Sequence, residues 1–164
     1  MRNKILMKPL YKDTIIPTCA HTKDAGWDLY FHDTVGDIKY AGYKHEIDGK
    51  PEYLEIRAHQ TIMCGTGIAI TPPEGYFGAI FARSGLATKQ GLRPENCVGV
   101  CDEGYKGEYI IALHNDTEST QRIYIGDRIA QVVFIPYGIM ENKIVDELPD
   151  IDSRGTSGFG ESGK

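Results

Sequence analysis

Gln60-Thr61-Ile62-Met63-Cys64-Gly65-Thr66-Gly67-Ile68-Ala69-Ile70 is followed, across Pro72-Pro73-Glu74-Gly75, by Tyr76-Phe77-Gly78-Ala79-Ile80-Phe81-Ala82. Two β-rich runs flank a proline and glycine turn signal, so the stretch reads as two strands joined by a turn. The same pattern repeats outward. Residues 53–56, 109–115, 122–125 and 128–136 also read as strands, with Asp48-Gly49 and Gly126-Asp127 as further turn signals. No segment keeps a helical period over four turns. The best helix candidate is short, residues 85–90, after Ser84. The pattern predicts an all-β, jelly-roll-like barrel or sandwich with one short helix.

Asp48-Gly49 lies between Tyr43-Lys44-His45-Glu46-Ile47 and Tyr53-Leu54-Glu55-Ile56, which predicts a β-hairpin projecting from the body, at about residues 38–57. Residues 153–164 differ: they are rich in Gly and Ser and are expected to form a flexible arm. The division is therefore a β domain over 1–152 and an arm over 153–164, which fits a chain of 164 residues.

The net charge is −5, and no basic face or stripe is visible, which argues against nucleic acid as a partner. A polyanionic ligand must then be held by a local cluster of donors, helped by a cation. No stretch approaches the roughly 20 apolar residues of a membrane helix, and the start of the chain does not read as a signal peptide. Cys19, Cys64, Cys97 and Cys101 form no C-x-x-C pair and have no accompanying histidine pattern. Cys97 and Cys101 are expected to share one face as two buried small side chains, and a reducing, cytoplasmic home fits these cysteines.

Two nucleotide fingerprints in the arm are decoys. Gly158-Phe159-Gly160-Glu161-Ser162-Gly163-Lys164 satisfies both G-x-G-x-x-G and G-x-x-x-x-G-K. The first must open a helix inside a βαβ unit, and the second needs a following Ser or Thr and a helix. Neither context is present. Glycine-rich backbone can still approach phosphates closely, and Arg154, Ser162 and Lys164 add donors.

Five segments stand out in order: Ala25-Gly26-Trp27-Asp28-Leu29; Ala82-Arg83-Ser84-Gly85-Leu86; Asn96 through Gly99-Val100-Cys101-Asp102-Glu103-Gly104-Tyr105-Lys106-Gly107-Glu108; Gly126-Asp127-Arg128-Ile129-Ala130-Gln131; and Arg154-Gly155 through Gly158-Phe159-Gly160 to Gly163. Together they resemble the five motifs of the trimeric dUTPase (deoxyuridine 5′-triphosphate nucleotidohydrolase) family, from about residue 20 to the end. The chain departs from the family pattern in its longer stretch between the first and second motifs, and in Lys106, Ser157 and Glu161, which stand where arginine, glycine and serine are common.

The resemblance implies hydrolysis of dUTP to dUMP and pyrophosphate by a homotrimer that needs Mg2+. Asp102 would be the catalytic base, orienting and deprotonating the water that attacks the α-phosphorus. A carboxylate suits that role because it only accepts hydrogen bonds. Tyr105 would pack on the deoxyribose and exclude a 2′-hydroxyl. Asn96 and the backbone around Gly99 and Val100 would read uracil. Arg83, Ser84, Gly85, Lys106 and Gln131 would hold the phosphates, with Asp28 in a supporting role. In the arm, Phe159 would stack on uracil, while Arg154, Gly160 and Ser162 would close on the triphosphate. Mg2+ would arrive with the substrate and be held through its phosphates and waters, with no direct protein ligand. Each site would draw on three chains. Asp127 and Arg128 read as a turn and a structural ion pair, and Trp27 as packing.

Two rival readings follow from the same residues. A dCTP deaminase-related enzyme shares the fold but needs an added acid/base for the exocyclic amine, for which no local motif is visible. A trimeric nucleotide-responsive regulatory protein could use the hairpin over residues 43–54 as its contact surface.

Overall fold

The computed structural model describes residues 4–36, 44–47 and 50–149. Twelve strands run along the chain: β1 (Leu6–Pro9), β2 (Trp27–Tyr30), β3 (Asp33–Thr34), β4 (Lys44–Ile47), β5 (Lys50–Ile56), β6 (Thr61–Thr71), β7 (Tyr76–Phe81), β8 (Leu92–Pro94), β9 (Gly99–Cys101), β10 (Glu108–Asn115), β11 (Gln121–Tyr124) and β12 (Arg128–Pro136). A seven-residue helix, α1 (Ser84–Gln90), lies between β7 and β8. The strands form three open sheets, ordered β1-β6-β10-β8 with β3 also on β6, β2-β12-β7-β9, and β11-β5-β4. The all-β reading is borne out, with open sheets rather than a closed barrel.

β10 shows how the pattern produces the layer. Its residues alternate strictly, with Tyr109, Ile111, Leu113 and Asn115 inward and Glu108, Ile110, Ala112 and His114 outward. β6 does not alternate: residues 64–70 are all buried. It is paired on both edges, by β1 and β3 on one side and β10 on the other. Gly67, at φ +68, breaks the register with β10, where pairing shifts between Glu108 and Ile110. The orphaned groups of this irregularity are satisfied locally. Gly67 N–H donates to Glu108 Oε1 at 2.6 Å, and Thr66 Oγ1 donates to the Tyr109 carbonyl at 2.6 Å.

Leu29, Phe31, Leu54, Ile56, Ile62, Ile111, Leu113, Ile129 and Val132 are among the residues of one core cluster. The hairpin around Asp48-Gly49 is only partly an outgrowth. β4 and β5 pair as expected, but β5 also pairs with β11 and sends Leu54 and Ile56 into the core. Its base belongs to the body because those two side chains are worth more buried than exposed. The Asp48-Gly49 turn itself lies outside the described residues.

Two local expectations are corrected. The helix begins at Ser84, one residue earlier than expected, with Arg83 at the N-cap position (φ −85, ψ 127) making no side-chain capping bond. Its end is set by Gly91 in the left-handed region, φ 65. Cys97 is exposed and precedes β9, so it does not share a buried face with Cys101.

Candidate active site

Asp28 on β2 organises the first group of residues. Its Oδ1 accepts from Arg83 Nε at 2.8 Å and its Oδ2 from Arg128 Nη1 at 3.2 Å. The aspartate side chain is mostly buried, so these are charge-assisted bonds in a sheltered setting. Arg128 thus pairs with a residue a hundred positions away, not with Asp127. Asp127 instead closes its own turn, accepting the Tyr124 N–H at 2.8 Å.

The two arginines face a cavity of about 370 Å³ shared with Gly26, Ser84, Gly85 and Gln131. Gln131 Nε2 donates to the Ala82 carbonyl at 3.0 Å, which carries its Oε1 to 2.3 Å from where a Cβ on Gly26 would sit. Glycine at 26 is therefore a requirement of the glutamine's placement. Gly85 faces open space, with nothing within 4 Å of an added Cβ. Asp24 also lines the cavity, so two arginines are offset by two aspartates. Anion recognition here would rest on directed N–H and O–H donors more than on net charge.

A second cavity, of about 290 Å³, brings together Asn96, Gly99, Val100 and Tyr105 over a floor that includes Ile80 and Tyr109. β9 pairs with β7 alone among the described strands, leaving its other edge of N–H and C=O groups unpaired. Gly99 packs closely: a Cβ there would lie 3.1 Å from Ile80 Cβ and 3.3 Å from Asn96 Nδ2. Tyr105 is pinned at the rim. Its hydroxyl donates to the Glu108 carbonyl at 2.9 Å, and its ring lies 6.2 Å from that of Tyr109.

Asp102 follows β9 directly and is exposed. The turn it opens is closed by the Tyr105 N–H on the Asp102 carbonyl at 3.0 Å. Its neighbour Glu103 is committed elsewhere, accepting from Gly75 N–H at 3.0 Å and Tyr137 Oη at 3.2 Å. Among the described residues the Asp102 carboxylate accepts no hydrogen bond, so of the two adjacent acids it is the one available to a ligand. Burial pushes the Cys101 thiol up, opposed in part by the Tyr109 hydroxyl and reinforced least by the Asp102 charge, which disfavours the thiolate.

The two cavities share no lining residue, and Lys106 sits in a third groove beside Leu6, Met7 and Lys8 of β1. One chain thus brings Asp28, Arg83, Ser84, Gly85 and Gln131 together, and separately Asn96, Gly99, Val100 and Tyr105. Arg154, Phe159, Gly160 and Ser162 lie outside the described residues. Arg128 was missed as a lining residue of the first cavity, because sequence cannot show which distant acid an arginine meets.

Residues 49–163 match the family model for dUTPase. The Tropheryma whipplei (strain Twist) deoxyuridine 5′-triphosphate nucleotidohydrolase is 38% identical over 156 residues, covering 94% of this chain and 93% of that protein. The protein of the same name from Desulfitobacterium hafniense (strain DSM 10664 / DCB-2) is 45% identical over 111 residues, covering 67% of this chain and 73% of that one. Among solved structures, the Staphylococcus bacteriophage 80alpha dUTPase with dUPNHPP superimposes with a TM-score of 0.80 at 27% identity, covering 99% of this chain and 100% of that chain. The chain belongs to the dUTPase family.

Proposed function

We propose that this chain hydrolyses dUTP to dUMP and pyrophosphate, removing the precursor of uracil in DNA and supplying dUMP for thymidylate synthesis. The observation that carries the reading is Asp102: an exposed carboxylate with no hydrogen bond of its own among the described residues, next to the cavity walled by Asn96 and Tyr105. Asp102 would accept a proton from a water placed in line with the leaving pyrophosphate. The unpaired edge of β9 and the Asn96 amide suit the O4 and N3–H edge of uracil. Cytosine inverts that pattern and would leave buried groups unpaired. A 5-methyl group would clash with so closely packed a turn. The Tyr105 ring, fixed by its bond to Glu108, would reject a 2′-hydroxyl by sterics.

The Arg83-Ser84-Gly85 group with Gln131 suits the phosphates. It and the base cavity share no lining residue within one chain, which fits a site completed between copies in the homotrimer that the family resemblance implies. Arg154, Phe159, Gly160 and Ser162 of the arm complete it from a third copy, and Lys106 adds a mobile point charge. The donor set fits a substrate-borne Mg2+. Among the described residues no group of three His, Cys, Asp or Glu side chains is placed to hold a metal ion, and both oxygens of Asp28 are held by arginines. When bound with the triphosphate, the ion supplies charge neutralisation and holds the phosphate chain in shape.

The test is pyrophosphate release with Mg2+ from dUTP, UTP, dTTP and dCTP, for the wild type and Asp102→Asn. Turnover of dUTP alone, falling at least about 100-fold in the variant, is expected. Ammonia from dCTP, or turnover undiminished in Asp102→Asn, would overturn the assignment.

A further inference from the structure

A dense polar cluster lies outside both cavities, where β6, β8 and β10 meet. His114 on β10 is the direct cross-strand neighbour of Thr61 on one side and Arg93 on the other. The alternation of β10 places it on the same face as Ile110 and Ala112, which line the base cavity. Its Nδ1 lies 2.8 Å from Glu95 Oε2 and 2.9 Å from Thr61 Oγ1, and Thr61 Oγ1 donates to the same carboxylate oxygen at 2.6 Å. Its Nε2 lies 3.3 Å from Asp116 Oδ1. Asp116 is held in turn by a two-pronged contact from Arg93, whose hydrogen bond lowers the Asp116 carboxyl below its ordinary range.

These contacts end on the segment that walls the base cavity. Glu95 leaves β8 with its N–H on the Ala112 carbonyl at 2.8 Å, and the next residue is Asn96. The bend over residues 95–98 is otherwise exposed and lacks regular structure. An exposed bend with few contacts of its own is ordered by whatever grips its ends. The His114 side chain is mostly buried, whereas that of Glu95 is half exposed, so the histidine is the fixed partner of the pair.

We infer that His114, with Thr61, is a positioning residue for the base cavity: its Nδ1 side clasps the Glu95 carboxylate and so fixes the bend that carries Asn96. This rests on the proposed reading of that cavity as the uracil site. The clasp acts on the base and touches no phosphate, so it belongs in KM rather than kcat.

Two substitutions separate the ring's two edges. In His114→Asn the amide nitrogen replaces Nδ1, keeping a donor toward Glu95, whereas in His114→Gln it replaces Nε2 and faces Asp116. The expected result is near-wild-type kinetics for His114→Asn. For His114→Gln, KM for dUTP should rise about three- to tenfold, the equivalent of one net hydrogen bond, with kcat within about twofold. Glu95→Ala, at a half-exposed site that cannot disturb the core, should raise KM alike and serves if either histidine variant fails to fold. Equal KM in His114→Asn and His114→Gln, or an unmoved KM in Glu95→Ala, overturns the clasp while wild-type turnover stands. Absence of wild-type dUTP turnover would remove the reading beneath it as well.

Discussion

A Cβ on Gly107 would lie 2.4 Å from the Tyr105 hydroxyl and 2.7 Å from its Cζ, so this glycine fixes where the tyrosine ring can lie. Gly107→Ala must push the ring off its 2.9 Å bond to the Glu108 carbonyl. If the ring is the wall that excludes a 2′-hydroxyl, discrimination should weaken more than catalysis. The kcat/KM ratio of dUTP over UTP is expected to fall about tenfold or more, because rejection by clash depends on a rigid wall. Steady-state kinetics on both nucleotides decide it, and an unchanged ratio would remove Tyr105 from sugar selection. At this scale the motifs revealed which residues matter but not how neighbours divide the work. Asp102 and Glu103 are chemically alike in the sequence; only folding brings Gly75 and Tyr137 to Glu103 and leaves Asp102 available. Arg128 reads as half of a local pair until Asp28 arrives from β2. Cys97 falls on the exposed bend because β9 starts two residues later.

The long strands β6, β7, β10 and β12 were legible because each has enough residues to express a β-rich run, and their ends agree with the sequence reading within about one residue. β1, β3 and β8 have two to four residues and no period of their own; pairing with β6 or β10 makes them strands. The pairing of β5 with β11 was equally invisible, being a long-range choice. β6 also carries a titratable group where none is comfortable. Cys64 is fully buried, and burial pushes its thiol from 9.0 up to about 12. A thiol with a raised folded-state value stabilises the fold fully below the unfolded value, and that contribution is lost as pH rises through the folded one. Stability from this group should thus hold to pH 9 and decline toward pH 12. Cys64→Ala should cost about 1 kcal/mol at neutral pH through the cavity it leaves, and its alkaline decline should be shallower than that of the wild type. Denaturant midpoints at pH 7, 9, 10 and 11 measure both slopes; parallel slopes would show that Cys64 contributes nothing to the alkaline limb.

Beyond β12 the chain carries apolar side chains that one copy leaves open: Ile139 is 89% exposed, Ile144 97% and Leu148 85%. Within one copy, the Asp102 turn and the Arg83-Ser84-Gly85 group also serve cavities with no residue in common. Both facts are accounted for if neighbouring copies cover the apolar segment and join one chain's base cavity to another's phosphate cavity. Complementation tests this directly. Asp102→Asn and Arg83→Ala chains, each nearly inactive alone, are co-expressed with different tags and purified as mixed assemblies. If each site takes Asp102 from one chain and Arg83 from a different one, every mixed trimer holds one fully wild-type site of its three, so about a third of wild-type activity should return. If both residues of a site come from one chain, no mixed assembly contains an intact site and activity stays at the level of the parents. Scattering mass on each parent variant guards the comparison, because an assembly that has fallen apart would mimic the second result. Recovery near one third, with mass intact, requires a site that exists only between copies.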